Sequence, residues 1–206
     1  AQRVSYPCVI KPLNLSGSRG VIRANNPGEF VNAVARLAKI LGVDGPNASP
    51  ASYLVESYIP GREVALEGML DKGELTVLAL FDKPDPLVGP FFEETIYVTP
   101  SRLTQTVQQQ IADCAARSAA ALGLREGPVH AELRINEDGP WILEIAGRSI
   151  GGLCSQTLQF GVDASLEELI LRQACGLPLE MEPASQASGV MMIPIPCLLY
   201  TSPSPR

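Results

Sequence analysis

An excess of positive charge and a long apolar run are both missing from this 206-residue sequence. Lysine and arginine total 16 against 22 aspartates and glutamates, which gives a formal net charge of −6. A broad nucleic-acid binder usually carries a basic face, so nucleic acid is not expected as a partner. No apolar run reaches the ~18 residues that cross a bilayer, and no signal-peptide segment is visible. We therefore expect a cytoplasmic protein without a membrane partner.

Paired cysteine motifs and internal repeats are also missing. No C-x-x-C pair occurs, so we expect buried, reduced thiols rather than a metal or disulfide framework. What the sequence has is enough apolar residues, 46%, to bury a sizeable core, with only 18% charged. The scattered cysteines are Cys8, Cys114, Cys154, Cys175 and Cys197.

Both ends of the sequence depart from what a complete protein would show. There is no initiator Met, and a strand is predicted almost at once. Residues 197–206, CLLYTSPSPR, break the composition of the preceding chain and show no helical or strand period. We expect this tail to be non-native or disordered, and the chain to be a fragment.

Three helices are predicted within a mixed order of strands. The first begins at Asn26, which caps it ahead of Pro27, with Glu29 completing a capping box. A longer helix ends at Gly123, and a third begins at Ser165. Residues 43–52 are predicted as a loop, and residues 82–101 are too rich in proline to be regular throughout. Strands are predicted at 9–11, 53–59, 62–70, 74–81, 129–135 and 141–147. The hairpins among them indicate α+β architecture with antiparallel sheets.

A lysine ends the first predicted strand and is followed by a small-residue loop. Lys11 precedes Ser16, Gly17, Ser18, Arg19 and Gly20, whose backbone N–H groups can approach an anion closely. No Walker loop is present. The pattern fits either a phosphate cradle or a solvated turn.

Two glutamates are predicted to face each other across the hairpin at 129–146. With a three-residue loop, Asn136 faces Pro140 and Glu132 lies opposite Glu144. Directly opposed like charges destabilise a sheet unless something lies between them. Two carboxylates with phosphate oxygens and water form the usual shell of Mg²⁺. The alternative is a solvated face with Arg134 as the counter-charge.

Arg148 follows the second strand of this hairpin and is therefore expected close to the carboxylate pair. An arginine there can bind phosphate or carboxylate with two parallel hydrogen bonds. Gly151 and Gly152 would let a ligand approach the backbone. The alternative is a surface arginine followed by a flexible turn.

A Pro-Gly bend lies between Glu56 and Glu63, in LVESYIPGRE. This bend can offer backbone groups to an adenine edge and a carboxylate to a ribose, or it can simply connect two strands. Lys83, in FDKPDP, is either a second phosphate ligand or a solvated loop lysine.

Six segments together resemble the ATP-grasp superfamily, and within it the carboxylate–amine ligases of the L-amino-acid ligase and carnosine-synthase type. In order they are PCVIKP with SGSRG, LVESYIPGRE, FDKP, FFEETIYVTPS, HAELR and EIAGRSIGG. The resemblance implies two α+β subdomains that grip ATP between antiparallel sheets. The small subdomain would occupy residues 1–56, truncated at its N-terminus, and the large one residues 57–196.

The resemblance also implies roles for individual residues. The adenine hinge would be Glu56, Ser57, Tyr58 and Ile59, and the ribose ligand would be Glu63. The lysine that contacts the phosphates would be Lys11, and the loop that closes over them would contain Ser16, Gly17, Ser18 and Gly20. The metal carboxylates are Glu132 and Glu144. The catalytic cations are Lys83 and Arg148. The substrate residues are Glu94, which would hold the substrate's amino end, with Tyr97, Gly151 and Gly152.

The implied activity is an ADP-forming ligase that joins a carboxylate to an amine through an acyl-phosphate, with ATP and Mg²⁺ (or Mn²⁺) as cofactors. Its partners would be small, amino-acid-like substrates, with a possible homodimer. The alternatives are a nucleotide-binding module without catalysis and an ATP-grasp phosphotransferase. One departure concerns the metal: many of these enzymes place Asn two residues after the second carboxylate, where this sequence has Ala146.

Overall fold

The computed structural model describes residues 3–42, 52–182 and 186–193. It is a mixed α and β structure, and the strand pairs within these residues are antiparallel, as the sequence predicted. The tail at 197–206 and nearly all of the predicted loop at 43–52 lie outside the described residues.

The chain divides into two compact units. The first is Ala1–Gly61 with Pro86–Glu94, and the second is Arg62–Asp85 with Thr95–Arg206. The division thus falls after Gly61 rather than after residue 56, and the predicted irregular segment returns partly to the first unit. The assignment of the two units as ATP-grasp subdomains stays a prediction.

The three predicted helices are present, with one short 3₁₀ turn among the described residues. Their bounds are α1 Pro27–Ile40, α2 Gln105–Ala121 and α3 Leu166–Ala174, and the 3₁₀ turn is Ser155–Thr157. The strands are β1 Cys8–Pro12, β2 Ile22–Ala24, β3 Tyr53–Ser57, β4 Arg62–Asp71, β5 Glu74–Asp82, β6 Ile96–Thr99, β7 Gly127–Asn136, β8 Gly139–Ala146, β9 Gln159–Phe160, β10 Ala164–Ser165 and β11 Ser188–Met191.

Side-chain caps fix where the helices begin. The Asn26 side chain accepts a hydrogen bond from the Glu29 N–H at 3.0 Å, and the Glu29 carboxylate in turn accepts from the Asn25 N–H. Ser165 accepts from the Glu168 N–H at 3.1 Å in the same way. These bonds satisfy N–H groups that the first helical turn leaves without intrahelical partners, so both predicted caps are confirmed.

The first unit is a three-stranded sheet in the order β2–β1–β3, with α1 packed against it. Alternation along β1 buries Cys8 and Ile10 beneath the helix. Phe30, Ala33 and Leu37, at helical spacing on α1, complete this core. Lys11 and Pro12 are the last residues of β1, and they lie partly buried at one edge of this core.

The second unit is a six-stranded sheet in the order β11–β6–β5–β4–β7–β8. Both faces of the sheet pack against other side chains. One face, with Val64 and Leu66, packs against α2, and the other, with Ala65, packs toward α3. This explains why β4 is buried along almost its whole length although its sequence alternates.

The described cysteines are free thiols, as expected, but they are not all buried. Cys8 and Cys154 are buried, Cys114 is half-buried and Cys175 is exposed. Cys197 lies outside the described residues. In the described part of the chain, no helix has the length and apolar character needed to cross a membrane.

Candidate active site

Charged side chains of the second unit gather on one face of β4 and β7. Because Val64 and Leu66 face α2, the alternating residues Glu63 and Glu67 lie on the opposite face. The strand register places Glu63 opposite Arg134 and Glu67 opposite His130. Each directly opposed pair therefore joins an acid to a basic side chain, which stabilises the sheet.

Lys83, which directly follows β5, bridges two of these carboxylates. Its Nζ lies 2.9 Å from Glu63 Oε1 and 2.9 Å from Glu132 Oε1, and the residue is only 4% exposed. Arg134 Nε donates to the other oxygen of Glu63 at 2.9 Å. Lys83 is therefore not a solvated loop lysine. Arg134 is only 3% exposed and is a counter-charge of Glu63, so it does not lie on the solvated face that the alternative interpretation required.

Glu67 is the buried residue that the sequence analysis missed. It is 1% exposed, accepts a hydrogen bond from the Ile150 N–H at 2.9 Å, and forms a short contact with His130 Nδ1. Burial raises the pKa of Glu67, while the bonds from His130 and Ile150 act in the opposite direction. The available signal was the alternation in REVALEGML, which puts Glu67 on the same strand face as Glu63.

The pKa values of His130 and Glu132 are shifted in opposite directions. Burial acts to lower the pKa of His130, but hydrogen bonds and charge from Glu132 and Glu67 outweigh it and raise the pKa to about 9. For Glu132, burial acts to raise the pKa, and the contacts with His130 and Lys83 bring it well below its ordinary value. The site thus keeps Glu132 ionised, as a metal ligand or phosphate-site carboxylate needs to be.

Glu144 lies opposite Glu132, as predicted, but not for the predicted reason. The turn has two residues, so Asn136 pairs with Gly139 and not with Pro140. A register shift next to Glu132 then adds one residue on β8 and restores the Glu132–Glu144 pair. The predicted loop length was wrong, and the bulge compensates for it.

The two facing carboxylates suit a hard divalent cation as a pair of oxygen ligands. The Glu144 side chain is 57% exposed, so a cation there would keep water or phosphate ligands. Within residues 3–42, 52–182 and 186–193, no group of three or more His, Cys, Asp or Glu side chains is arranged to hold a metal ion. The pair therefore fits Mg²⁺ as a two-ligand protein site and not as a complete protein cage.

Arg148 lies beside Glu144 on the segment that follows β8. Its Nη2 is 3.6 Å from Glu144 Oε1, and its Nη1 donates to the Ser149 carbonyl at 2.9 Å. The side chain is about half exposed. Glu67 holds this segment through the Ile150 N–H, so the buried network also determines where the Arg148 backbone lies. Gly151, which directly follows Ile150, is exposed.

In the first unit, Lys11 and Glu56 form an ion pair. Lys11 Nζ lies 2.6 Å from Glu56 Oε2, and both side chains are partly exposed. The loop after β1 turns through positive φ angles at Gly17 and Ser18, and the Val21 N–H donates to the Ser18 carbonyl at 3.1 Å. The structure thus brings together Lys11 with the first predicted hinge residue.

The remaining predicted substrate residues lie in different units. Glu94 is half-buried at the end of Pro86–Glu94, in the first unit. Tyr97, in the second unit, is 2% exposed and packs edge-to-face against Phe81, with Lys83 Nζ 4.9 Å from its ring centroid. Tyr97 is therefore a core residue that contacts Lys83.

A family model described as an ATP-grasp domain matches residues 4–157 of the chain. The chain belongs to the ATP-grasp family.

Two relatives of this ATP-grasp chain are a synthase and a ligase. Carnosine synthase 1 of Gallus gallus is 31% identical over 204 residues, which is 94% of this chain and 22% of that protein. Alanine–anticapsin ligase of Bacillus subtilis (strain 168) is 26% identical over 193 residues, 84% of this chain and 40% of that protein.

A solved structure agrees with these relatives. The crystal structure of L-amino acid ligase from Bacillus licheniformis matches the ATP-grasp chain with a TM-score of 0.75 and 28% identity, over 94% of this chain and 48% of that one. The chain spans less than half the length of each of these three proteins.

Proposed function

We propose that this chain is the ATP-grasp portion of an ADP-forming ligase that joins a carboxylate to an amine through an acyl-phosphate. The observation that carries the proposal is the facing pair Glu132 and Glu144, held beside Lys83 and Arg148 on one part of the second unit. Purely passive nucleotide binding would not require both the carboxylate pair and an adjacent arginine. The similarity to three proteins named as ligases or a synthase supports the same conclusion.

Separate groups of residues would hold the phosphates, the adenine and the ribose of the nucleotide. Lys11 would contact the phosphates, and the backbone N–H groups of the loop Ser16, Gly17, Ser18 and Gly20 would close over them. Glu56, Ser57, Tyr58 and Ile59 would present backbone groups to the adenine. Glu63 would accept from the ribose hydroxyls, because a carboxylate that already binds Lys83 and Arg134 keeps further lone-pair sites.

Charge on the phosphoryl group would be offset by the catalytic cations. Mg²⁺ (or Mn²⁺), held by Glu132 and Glu144, would supply positive charge to the phosphate oxygens. Lys83 is fixed by two carboxylates, so it offers a positioned charge that costs little reorganisation during the reaction. Arg148 is half exposed and can turn toward the oxygens of the acyl-phosphate.

The chemistry proceeds by two substitutions. A carboxylate oxygen of the first substrate attacks the terminal phosphorus of ATP, which forms the acyl-phosphate and releases ADP. A neutral amine then attacks the acyl carbon, phosphate leaves with the C–O electron pair, and the extra proton on the nitrogen passes to the departing phosphate. Closing the small-residue loop would exclude water, which would otherwise hydrolyse the acyl-phosphate. Glu94 would pair with the substrate ammonium, and Tyr97, Gly151 and Gly152 would be the other residues of the substrate site.

The proposal is tested by measuring ADP formation by the full-length protein with a panel of amino acids, supplied singly and in pairs. We expect one ADP and one phosphate to be released for each amide formed, and only when a suitable pair is present. ATP binding without stimulation by any carboxylate–amine pair would favour a nucleotide-binding module. Phosphorylation of a substrate without amide formation would favour a phosphotransferase.

A further inference from the structure

Arg23, on β2, makes contacts with two separate segments of the first unit. Its Nη1 donates to the Val88 carbonyl at 2.8 Å, and its backbone N–H donates to the Pro90 carbonyl at 2.9 Å. Next to it, Ile22 forms a bridge with Phe91. The chain from Val88 to Phe91, which we name the substrate-proximal loop because it precedes Glu94, is therefore attached to β2.

A close approach between Arg23 and the substrate-proximal loop requires a glycine. Gly89 has a φ of +92°, and a Cβ atom there would lie 3.1 Å from Arg23 Cβ and 3.2 Å from Arg23 Cδ. Those distances are tighter than ordinary van der Waals contact, so a larger residue would displace the arginine stem. The substrate-proximal loop therefore packs against the aliphatic part of the Arg23 side chain and also accepts a hydrogen bond from its guanidinium.

The same guanidinium lies over the ring of Tyr58, with its Cζ 3.9 Å from the ring centroid. This distance is within the range of a cation–π contact. The Tyr58 N–H also donates to the Pro7 carbonyl at 3.0 Å, so the backbone that carries the ring is anchored to the start of β1. Arg23 Nε donates to Asn25 at 2.8 Å, which fixes the plane of the guanidinium.

Arg23 thus joins the residue placed at the adenine hinge to the loop that leads to the residue placed at the substrate's amino end. We propose that Arg23 is a positioning residue that couples nucleotide binding at Tyr58 to the conformation of the substrate-proximal loop, and so to substrate binding at Glu94. The inference rests on the proposed function for the roles of Tyr58 and Glu94. When a bound nucleotide restrains the hinge, Arg23 in turn restrains Val88 and Pro90. The loop then loses less conformational entropy when the substrate binds.

The first test measures hydrogen–deuterium exchange of residues 86–94 in the full-length protein, with and without ADP and Mg²⁺. We expect ADP to slow exchange in the unaltered protein and to lose that effect in Arg23→Ala. Arg36→Ala is the matched control: Arg36 lies over Phe91 of the same loop at 4.5 Å, but its contacts in the described part of the chain do not include Tyr58. A purely structural arginine would change exchange equally with and without ADP.

The second test compares steady-state constants. Arg23→Ala should raise KM for the amino-acid substrate about 5- to 30-fold, with less change in ATP affinity and in kcat. Arg23→Lys keeps the charge but not the paired donors, so it should give an intermediate value.

If the ADP-dependent difference in exchange persists in Arg23→Ala, the coupling is wrong while the ligase proposal stands. If the unaltered protein shows no ADP-dependent protection of the loop, the coupling is likewise wrong. If the protein does not bind ATP or ADP, the proposed function itself fails.

Discussion

Lys83 shows how a single residue can organise this site. A lysine is rarely buried without partners, because transfer of its charge from water costs several kcal/mol. Two carboxylates at 2.9 Å offset that cost here, and one of them, Glu132, is also a predicted metal ligand. Lys83 therefore fixes the position of Glu132, and its burial distinguishes it from the partly exposed Lys11.

Neutralising either carboxylate of the facing pair should remove the metal-dependent step. Glu132→Gln or Glu144→Gln should abolish Mg²⁺-dependent turnover in the full-length protein while leaving it folded, because an uncharged amide is a weak ligand for a hard cation. Turnover is measured against Mg²⁺ concentration, with Tm as a check on folding. Glu168→Gln, which removes an exposed carboxylate paired with Arg172 on α3, is the control. Near-normal turnover in both variants would remove the metal assignment.

Lys11 can change partner at small cost. Its pair with Glu56 is partly exposed, and such pairs contribute about 0–1 kcal/mol. A phosphate can therefore replace the carboxylate. We expect Lys11→Ala to weaken ATP binding by roughly one to two orders of magnitude, about 1.5–3 kcal/mol for lost charge-assisted bonds, measured by calorimetry. Lys39→Ala, near the end of α1, is the control. Unchanged ATP affinity in Lys11→Ala would return Lys11 to the solvated-turn interpretation.

At the scale of elements, β4 combines a buried bulge with a charged face. The register of β4 and β5 shifts between Glu67 and Gly68. A Cβ at Gly68 would lie 2.6 Å from Leu75 Cδ1 and 3.0 Å from the Thr76 carbonyl oxygen. The leucine can move, but the backbone oxygen belongs to the ladder, so the bulge requires a residue without a side chain.

Gly68→Ala should therefore destabilise the protein by about 1–3 kcal/mol, the usual cost of overpacking. The free energy of unfolding is measured in urea. Gly151→Ala is the control, because a Cβ at Gly151 meets nothing within 4 Å and its φ is ordinary. Equal stability of the two variants would show that β4 and β5 can separate to accept the methyl group.

The elements that the sequence predicted well are those with a local signal. α1 begins where Asn26 and Glu29 predict it, and the six longer strands were found from their patterns. β2 was missed, since three residues are too short for a period and its pairing with β1 is non-local. The roles of Glu67 and Arg134 depend on the register between β4 and β7, which no local pattern specifies. The Glu132–Glu144 pair was predicted only because a bulge offset a wrong loop length.

At the scale of the whole molecule, the chain crosses between its two units more than once. Pro86–Glu94 leaves the second unit and belongs to the first. At its two ends, Asp85 and Thr95 are joined by a short hydrogen bond within the second unit. Glu94 therefore lies at the end of a segment of the first unit that Arg23 attaches to β2.

The last prediction separates catalysis from nucleotide binding across the whole molecule. Glu94→Gln should spare ATP binding and sharply reduce substrate-dependent ADP formation, because it removes the charge that we propose pairs with the substrate ammonium. Arg148→Lys should do likewise, since a lysine cannot form two parallel hydrogen bonds to an acyl-phosphate. ADP production is measured with and without amino acids in the full-length protein and both variants, and ATP affinity by calorimetry. Arg172→Lys on α3 is the control for an exposed arginine. If amino acids stimulate the unaltered protein and both variants equally, Glu94 and Arg148 have no part in substrate chemistry. If they stimulate none of the three while all bind ATP equally, nucleotide binding without catalysis becomes the better description of this ATP-grasp chain.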